Sequence, residues 1–101
     1  MSVQLSYKEG VLTARLSGEI DHHSAREMRE AIDDTAQKVK PACLRLDFSQ
    51  VPFMDSSGIA LILRAQQRMQ LLDGSVLVRN VPPQARRVLD AAGIGRLVTI
   101  K

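Results

Sequence analysis

Val3, Leu5 and Tyr7 alternate with polar residues, Lys8-Glu9-Gly10 supplies a turn, and Leu12, Ala14 and Leu16 resume the same two-residue period. A period of two sends successive side chains to opposite faces, so this stretch predicts a β-hairpin. The period then changes. Ala25, Met28, Ile32, Ala36 and Val39 recur at helical spacing, and Ser24 with Glu27 three residues later has the form of a capping box, so a first helix is expected to run to about Lys38. Lys40-Pro41 breaks it, because a residue before proline is pushed out of the helical region. Leu44, Leu46 and Phe48 alternate with Cys43, Arg45 and Asp47, which predicts a strand with one covered face and one open face. Ser49 to Met54 reads as a loop.

Asp55-Ser56-Ser57-Gly58 offers three good N-cap residue types directly before Ile59, Ile62, Leu63, Gln66, Met69 and Leu72, so a second helix starts at this cluster. It is expected to end near Asp73-Gly74, with Gly74 as the C-cap. Ser75 to Arg79 is a valine-rich strand. Pro82-Pro83 opens a third helix, Gly93-Ile94 has the pattern of a Schellman ending, and Leu97 to Ile100 is either a short last strand or a frayed tail. Strand-helix-strand units require parallel pairing through right-handed crossovers, whereas the opening hairpin is antiparallel. The expected fold class is therefore α/β. It is a single domain over residues 1–101, with a mixed four- to five-stranded sheet, an N-terminal hairpin and about three helices mainly on one face.

Composition narrows the function classes. A chain of 101 residues, 45% of them hydrophobic, supports one core and excludes a two-domain enzyme. No apolar run approaches the ~20 residues of a membrane span, and the start, Met1-Ser2-Val3-Gln4-Leu5, lacks the basic flank and apolar stretch of a signal peptide. A cytoplasmic protein with no membrane partner is expected. One cysteine, Cys43, provides neither a disulfide framework nor a thiolate metal cluster. With no Trp, one Tyr and two Phe, the chain lacks the stacking platforms of a single-strand binder, so no nucleic-acid partner is expected. The net charge of +3 is unevenly placed: residues 1–59 carry 7 basic and 9 acidic side chains, residues 60–101 carry 7 and 2. That asymmetry is either a docking signal for an acidic partner or a solvated surface.

Two segments carry candidate chemistry. The first is Asp55-Ser56-Ser57-Gly58, at the turn from a strand end into a helix N-terminus, where free N–H groups and the helix dipole favour an anion. A phosphate on Ser56 would bring roughly −1.5 to −2 charges and three acceptor oxygens, which local N–H groups would partly satisfy. The competing reading makes Ser56 and Ser57 simple caps. The second segment is Ser17-Gly18-Glu19-Ile20-Asp21-His22-His23, between the hairpin and the first helix. Loops at the ends of parallel strands share one rim, which makes Asp21 and Ser56 neighbours. Asp, His and Ser together invite a hydrolase. Against that, Met54 stands where the Gly-x-Ser-x-Gly elbow needs its first glycine, so no catalytic residue is assigned. A metal site at His22 and His23 is disfavoured, because adjacent side chains diverge; Asp21 and the histidines more simply cap the helix and form a polar rim. Gly93-Ile94-Gly95 is no dinucleotide fingerprint, and Arg86-Arg87 reads as a solvated helix face.

At these same two loops, Leu16-Ser17-Gly18-Glu19-Ile20-Asp21-His22-His23 and Leu46 to Ile59, with Met54-Asp55-Ser56-Ser57-Gly58 inside it, resemble the anti-anti-sigma factors of the STAS domain family, nearest to its sporulation branch. The resemblance spans nearly the whole chain. It implies a switch protein that releases a sigma factor by binding the anti-sigma factor, itself a serine kinase with bound ATP or ADP. It also implies phosphorylation of the first serine of Asp-Ser-Ser-Gly, here Ser56, beside Asp21, with reversal by a phosphoserine phosphatase. No cofactor of its own is expected. The partner surface is expected to comprise Asp21, His22, Asp55, Ser56, Ser57, Gly58 and Ile59. Family members commonly continue into a further C-terminal helix, and the chain's last residue, Lys101, follows soon after the third predicted helix, so thinner core cover is expected there. The alternative within the family is a scaffold or regulatory subunit of a stress-signalling or lipid-transport complex with a non-sigma partner.

Overall fold

The computed structural model describes residues 3–101; Met1 and Ser2, which open the segment read as lacking a leader, lie outside the described residues. The elements follow in the order β1 (Val3–Lys8), β2 (Val11–Ser17), α1 (His22–Val39), β3 (Cys43–Gln50), α2 (Ser57–Leu71), β4 (Ser75–Arg79), α3 (Pro83–Ala91), a 3₁₀ turn (Ile94–Arg96) and β5 (Thr99–Ile100). The five strands form one sheet in the order β1-β2-β3-β4-β5, with β1 antiparallel to β2 and every other pair parallel. From β2 onward each crossover steps in the same direction. Right-handed crossovers then place all three helices on one face, which leaves the opposite face bare.

The alternation read from the sequence sorts residues between those faces. Leu12, Ala14, Leu16, Leu44, Leu46, Phe48, Val76 and Val78 point under the helices and are buried. From the helices, Met28, Ile32, Ala36, Leu61, Ile62, Met69, Ala85 and Leu89 close on them in one core. Phe48, with 0% exposure, heads its fully buried side chains by volume, and truncating such a ring costs about 3–5 kcal/mol. The hairpin turn uses left-handed backbone at Glu9 (φ 51°) and Gly10 (φ 82°), the conformation that matches the strand twist.

Three boundaries depart from the sequence reading. The capping box of α1 is Asp21 with Ser24, not Ser24 with Glu27: the Ser24 N–H donates to Asp21 Oδ1 (2.9 Å) and the Asp21 N–H to Ser24 Oγ (3.0 Å). An aspartate in extended backbone one turn earlier outcompetes the serine, so His22 and His23 form the first helical turn instead of a loop. β3 runs on to Gln50, because a bulge opposite Arg15–Ser17 inserts an extra residue, and the freed Ser49 N–H is taken by Asp47 Oδ1 (2.8 Å). The left-handed residue after α2 is Asp73 (φ 57°), not Gly74. Gly74 is needed for space, since a Cβ there would press on Met69 and sit 2.9 Å from the Ala42 carbonyl oxygen. The tail resolves into the two-residue strand β5 after left-handed Gly93 (φ 69°).

Candidate functional site

Beyond the ends of β2 and β3 the chain makes one more point of pairing. Ile20 bridges Met54 in parallel; the Ile20 N–H donates to Phe53 O (3.0 Å) and the Asp55 N–H to Ile20 O (3.1 Å). Ile20 and Met54 are fully buried, so the apolar member of each loop anchors it and the following aspartates, Asp21 and Asp55, emerge on the same rim. A second clamp comes from α3. Gln84 accepts the Met54 N–H on Oε1 (2.9 Å) and donates from Nε2 to Met54 O (3.0 Å), satisfying both backbone groups of a buried residue. The expected proximity of the two loops is thus realised through backbone hydrogen bonds.

At the start of α2 the capping duty falls on Asp55. Its Oδ1 accepts the Ser57 N–H (2.7 Å) and its carbonyl accepts the Gly58 N–H (3.1 Å). Ser56 occupies the N-cap position in helical backbone (φ −64°, ψ −13°), and its side chain makes no capping bond. It is exposed. Donors expected to receive a phosphate on Ser56 are therefore already engaged by Asp55, and such a phosphate would stand on a rim that already carries two carboxylates. On that rim the N–H and hydroxyl of Ser24 hold the Asp21 carboxyl below the usual carboxylate range. An ionised Asp21 beside Asp55 makes the rim acidic.

The other candidate residues take different positions. His22 is exposed and lines a groove of about 330 Å³ between α1 and α2 together with Ala25, Arg29, Ser57 and Leu61. Gly58 is buried, and a Cβ on it would come within 2.6 Å of Met54 Cε. Ile59 is half-buried and packs against the core. His23 pairs with Glu27 (3.0 Å) on α1. Among the described residues no group of three or more His, Cys, Asp or Glu is placed to hold a metal ion, and no helix is long and apolar enough to cross a membrane.

Two residues of this site escaped the sequence reading. Gln84 carried a weak signal only, a long amide directly after Pro82-Pro83, where a helix start cannot use proline donors. Phe53, 47% exposed, stands out beside the rim, and an aromatic side chain in a loop between two buried residues is the signal that would have marked it.

Comparison with known proteins agrees with this geometry. An anti-sigma F factor antagonist of Paenibacillus polymyxa is 32% identical over 100 residues, covering 99% of this chain and 86% of that relative. The structure of the anti-sigma factor antagonist SpoIIAA in its unphosphorylated form superposes with a TM-score of 0.84 at 27% identity, covering 98% of this chain and 87% of that one. The Bacillus cell fate determinant SpoIIAA in its phosphorylated form superposes with a TM-score of 0.75 at 27% identity, covering 98% and 90%. The family model described as the STAS domain matches residues 2–101, and the chain belongs to the STAS domain family.

Proposed function

We propose that this protein is an anti-sigma factor antagonist whose binding rim is switched by phosphorylation of Ser56. In this reading the partner is an anti-sigma factor that is also a serine kinase and carries the ATP or ADP. Binding releases a sigma factor, phosphate transfer to Ser56 ends the interaction, and a phosphoserine phosphatase restores it. The protein acts as a binding module and not as a catalyst, and it works in the cytoplasm. The observation that carries the reading is the division of labour at α2. Asp55 does the capping, so the Ser56 hydroxyl stands exposed with no capping duty at a helix N-terminus, free to be a phosphoacceptor. Support comes from the antagonists among its relatives and from SpoIIAA, which exists in both phosphorylated and unphosphorylated forms.

The switch needs no refolding. An anion at a helix N-terminus is tolerated, while a kinase pocket that accepts a neutral hydroxyl meets a dianion on an acidic rim. Incubation with ATP and the anti-sigma factor from the same genome, followed by mass spectrometry, should place phosphate on Ser56 and on no residue of Ser56→Ala. Ser56→Asp should keep the wild-type melting temperature and bind the anti-sigma factor about tenfold more weakly than Ser56→Ala, roughly 1.4 kcal/mol by calorimetry. Label on Ser57 in the Ser56→Ala variant, or equal affinities of the two variants, would overturn the assignment.

A further inference from the structure

The bare face of the sheet concentrates the charge of the molecule. Strand positions pointing away from the helices include four cations, Lys8, Arg15, Arg45 and Arg79, and one carboxylate, Asp47. That excess of positive charge equals the net charge of the whole chain, +3. Asp47 is also already committed: its Oδ1 accepts the Ser49 N–H (2.8 Å) and Asn80 Nδ2 (3.4 Å), and its Oδ2 faces Arg15 Nε (3.8 Å). Among the described residues no ion pair involves Lys8, Arg45 or Arg79. The buried Arg45 Nε has no hydrogen-bond partner there at all, a donor left open in the middle of the face. Glu9, in the hairpin turn, is a second carboxylate beside this face and lines the same depression as Lys8 and Arg45.

The shape of the face matches its charge. Two shallow depressions of about 370 and 280 Å³ lie over β1 and β2, the first reaching Arg45 and the second Arg15. Half-buried Val11, Cys43 and Leu77 lie between the cations. We propose that this face is a docking surface for an acidic protein segment, held by the guanidinium groups of Arg45 and Arg79 with Lys8 and Arg15 at its flank. Guanidinium forks grip carboxylates through two parallel hydrogen bonds, and an apolar centre with arginines around it is the anatomy of a protein interface. A single-stranded nucleic acid would find no aromatic side chain on these strand positions to stack on, and a bilayer would find no protruding apolar side chain to admit. The surface lies on the layer opposite the helices, so its use is independent of the state of Ser56.

The test is a titration of ¹⁵N-labelled protein with an oligoglutamate peptide at low salt. Amide shifts should be largest at Thr13, Arg45 and Leu77, and the Arg45→Gln/Arg79→Gln variant should weaken binding about tenfold. Removing the same charge from the helix layer, in Arg64→Gln/Arg87→Gln, should leave binding unchanged. If the first double variant melts early, Arg79→Gln alone is expected to give a smaller loss in the same direction. The proposal is overturned by equal weakening in both double variants, by shifts scattered over α1, α2 and α3, or by tighter binding of duplex DNA or phosphatidylserine vesicles to the same face.

Discussion

Single side chains at the rim show how an acidic residue and a serine divide the work. Asp21 and Asp55 both accept a helix N–H, at 2.9 and 2.7 Å; Asp21 recruits Ser24, three residues on, to the same task, and Asp55 releases Ser56, its immediate successor, from it. Ser24 joins the box of α1 and donates its hydroxyl to Glu19 O (2.9 Å), whereas Ser56 is left without a capping role. Asparagine caps about as well as aspartate and alanine does not. Asp21→Asn should therefore melt at the wild-type temperature, and Asp21→Ala should lose a few degrees in a thermal scan. If Asp21→Asn also weakens anti-sigma binding, the charge of the rim, and not the cap, is what the partner reads. The residue types at Asp55-Ser56-Ser57-Gly58 made a helix start legible in the sequence. Which of three cap-competent side chains would cap was not legible, because that depends on backbone angles within one turn.

At the scale of elements, the site is a junction of three segments. The Ile20–Met54 bridge joins the loops that leave β2 and β3, and Gln84 ties the same Met54 backbone to the first turn of α3. Gln84→Ala would strip partners from the N–H and carbonyl of a residue with no exposure, a loss of about 1–3 kcal/mol by chemical denaturation. Hydrogen exchange should then rise first at Met54 and Asp55, ahead of the strands. A uniform rise across the sheet would show that the clamp has no local role. This junction was only half visible in advance. The parallel topology predicted that the two loops share a rim, but a contact between residues thirty positions apart, Met54 and Gln84, has no periodic signature.

For the whole molecule, acid sensitivity should trace to the bare sheet face. Burial pushes the Asp47 carboxyl up, but the Ser49 N–H and hydroxyl, Asn80 and Arg15 together outweigh it and hold the group below its ordinary value of 3.8. A carboxylate with a lowered folded-state pKa stabilises the fold above its unfolded pKa, about 3.9, and that contribution is lost as pH falls through the folded value. The urea midpoint of the wild type should thus drop on going from about pH 6 to pH 3, and Asp47→Asn should show a smaller drop. Element order, the one-sided sheet and the shared rim of the two loops were readable from the sequence, because period-two and helical spacings are local properties and parallel pairing follows from the element order. That Met54 fills the space a Cβ on Gly58 would need is visible only in the packing. The open Arg45 donor and the gathering of Lys8, Arg15, Arg45 and Arg79 belong to the tertiary structure alone. Strand register decides which distant side chains become neighbours, and register is set by the shared core and not by any one segment.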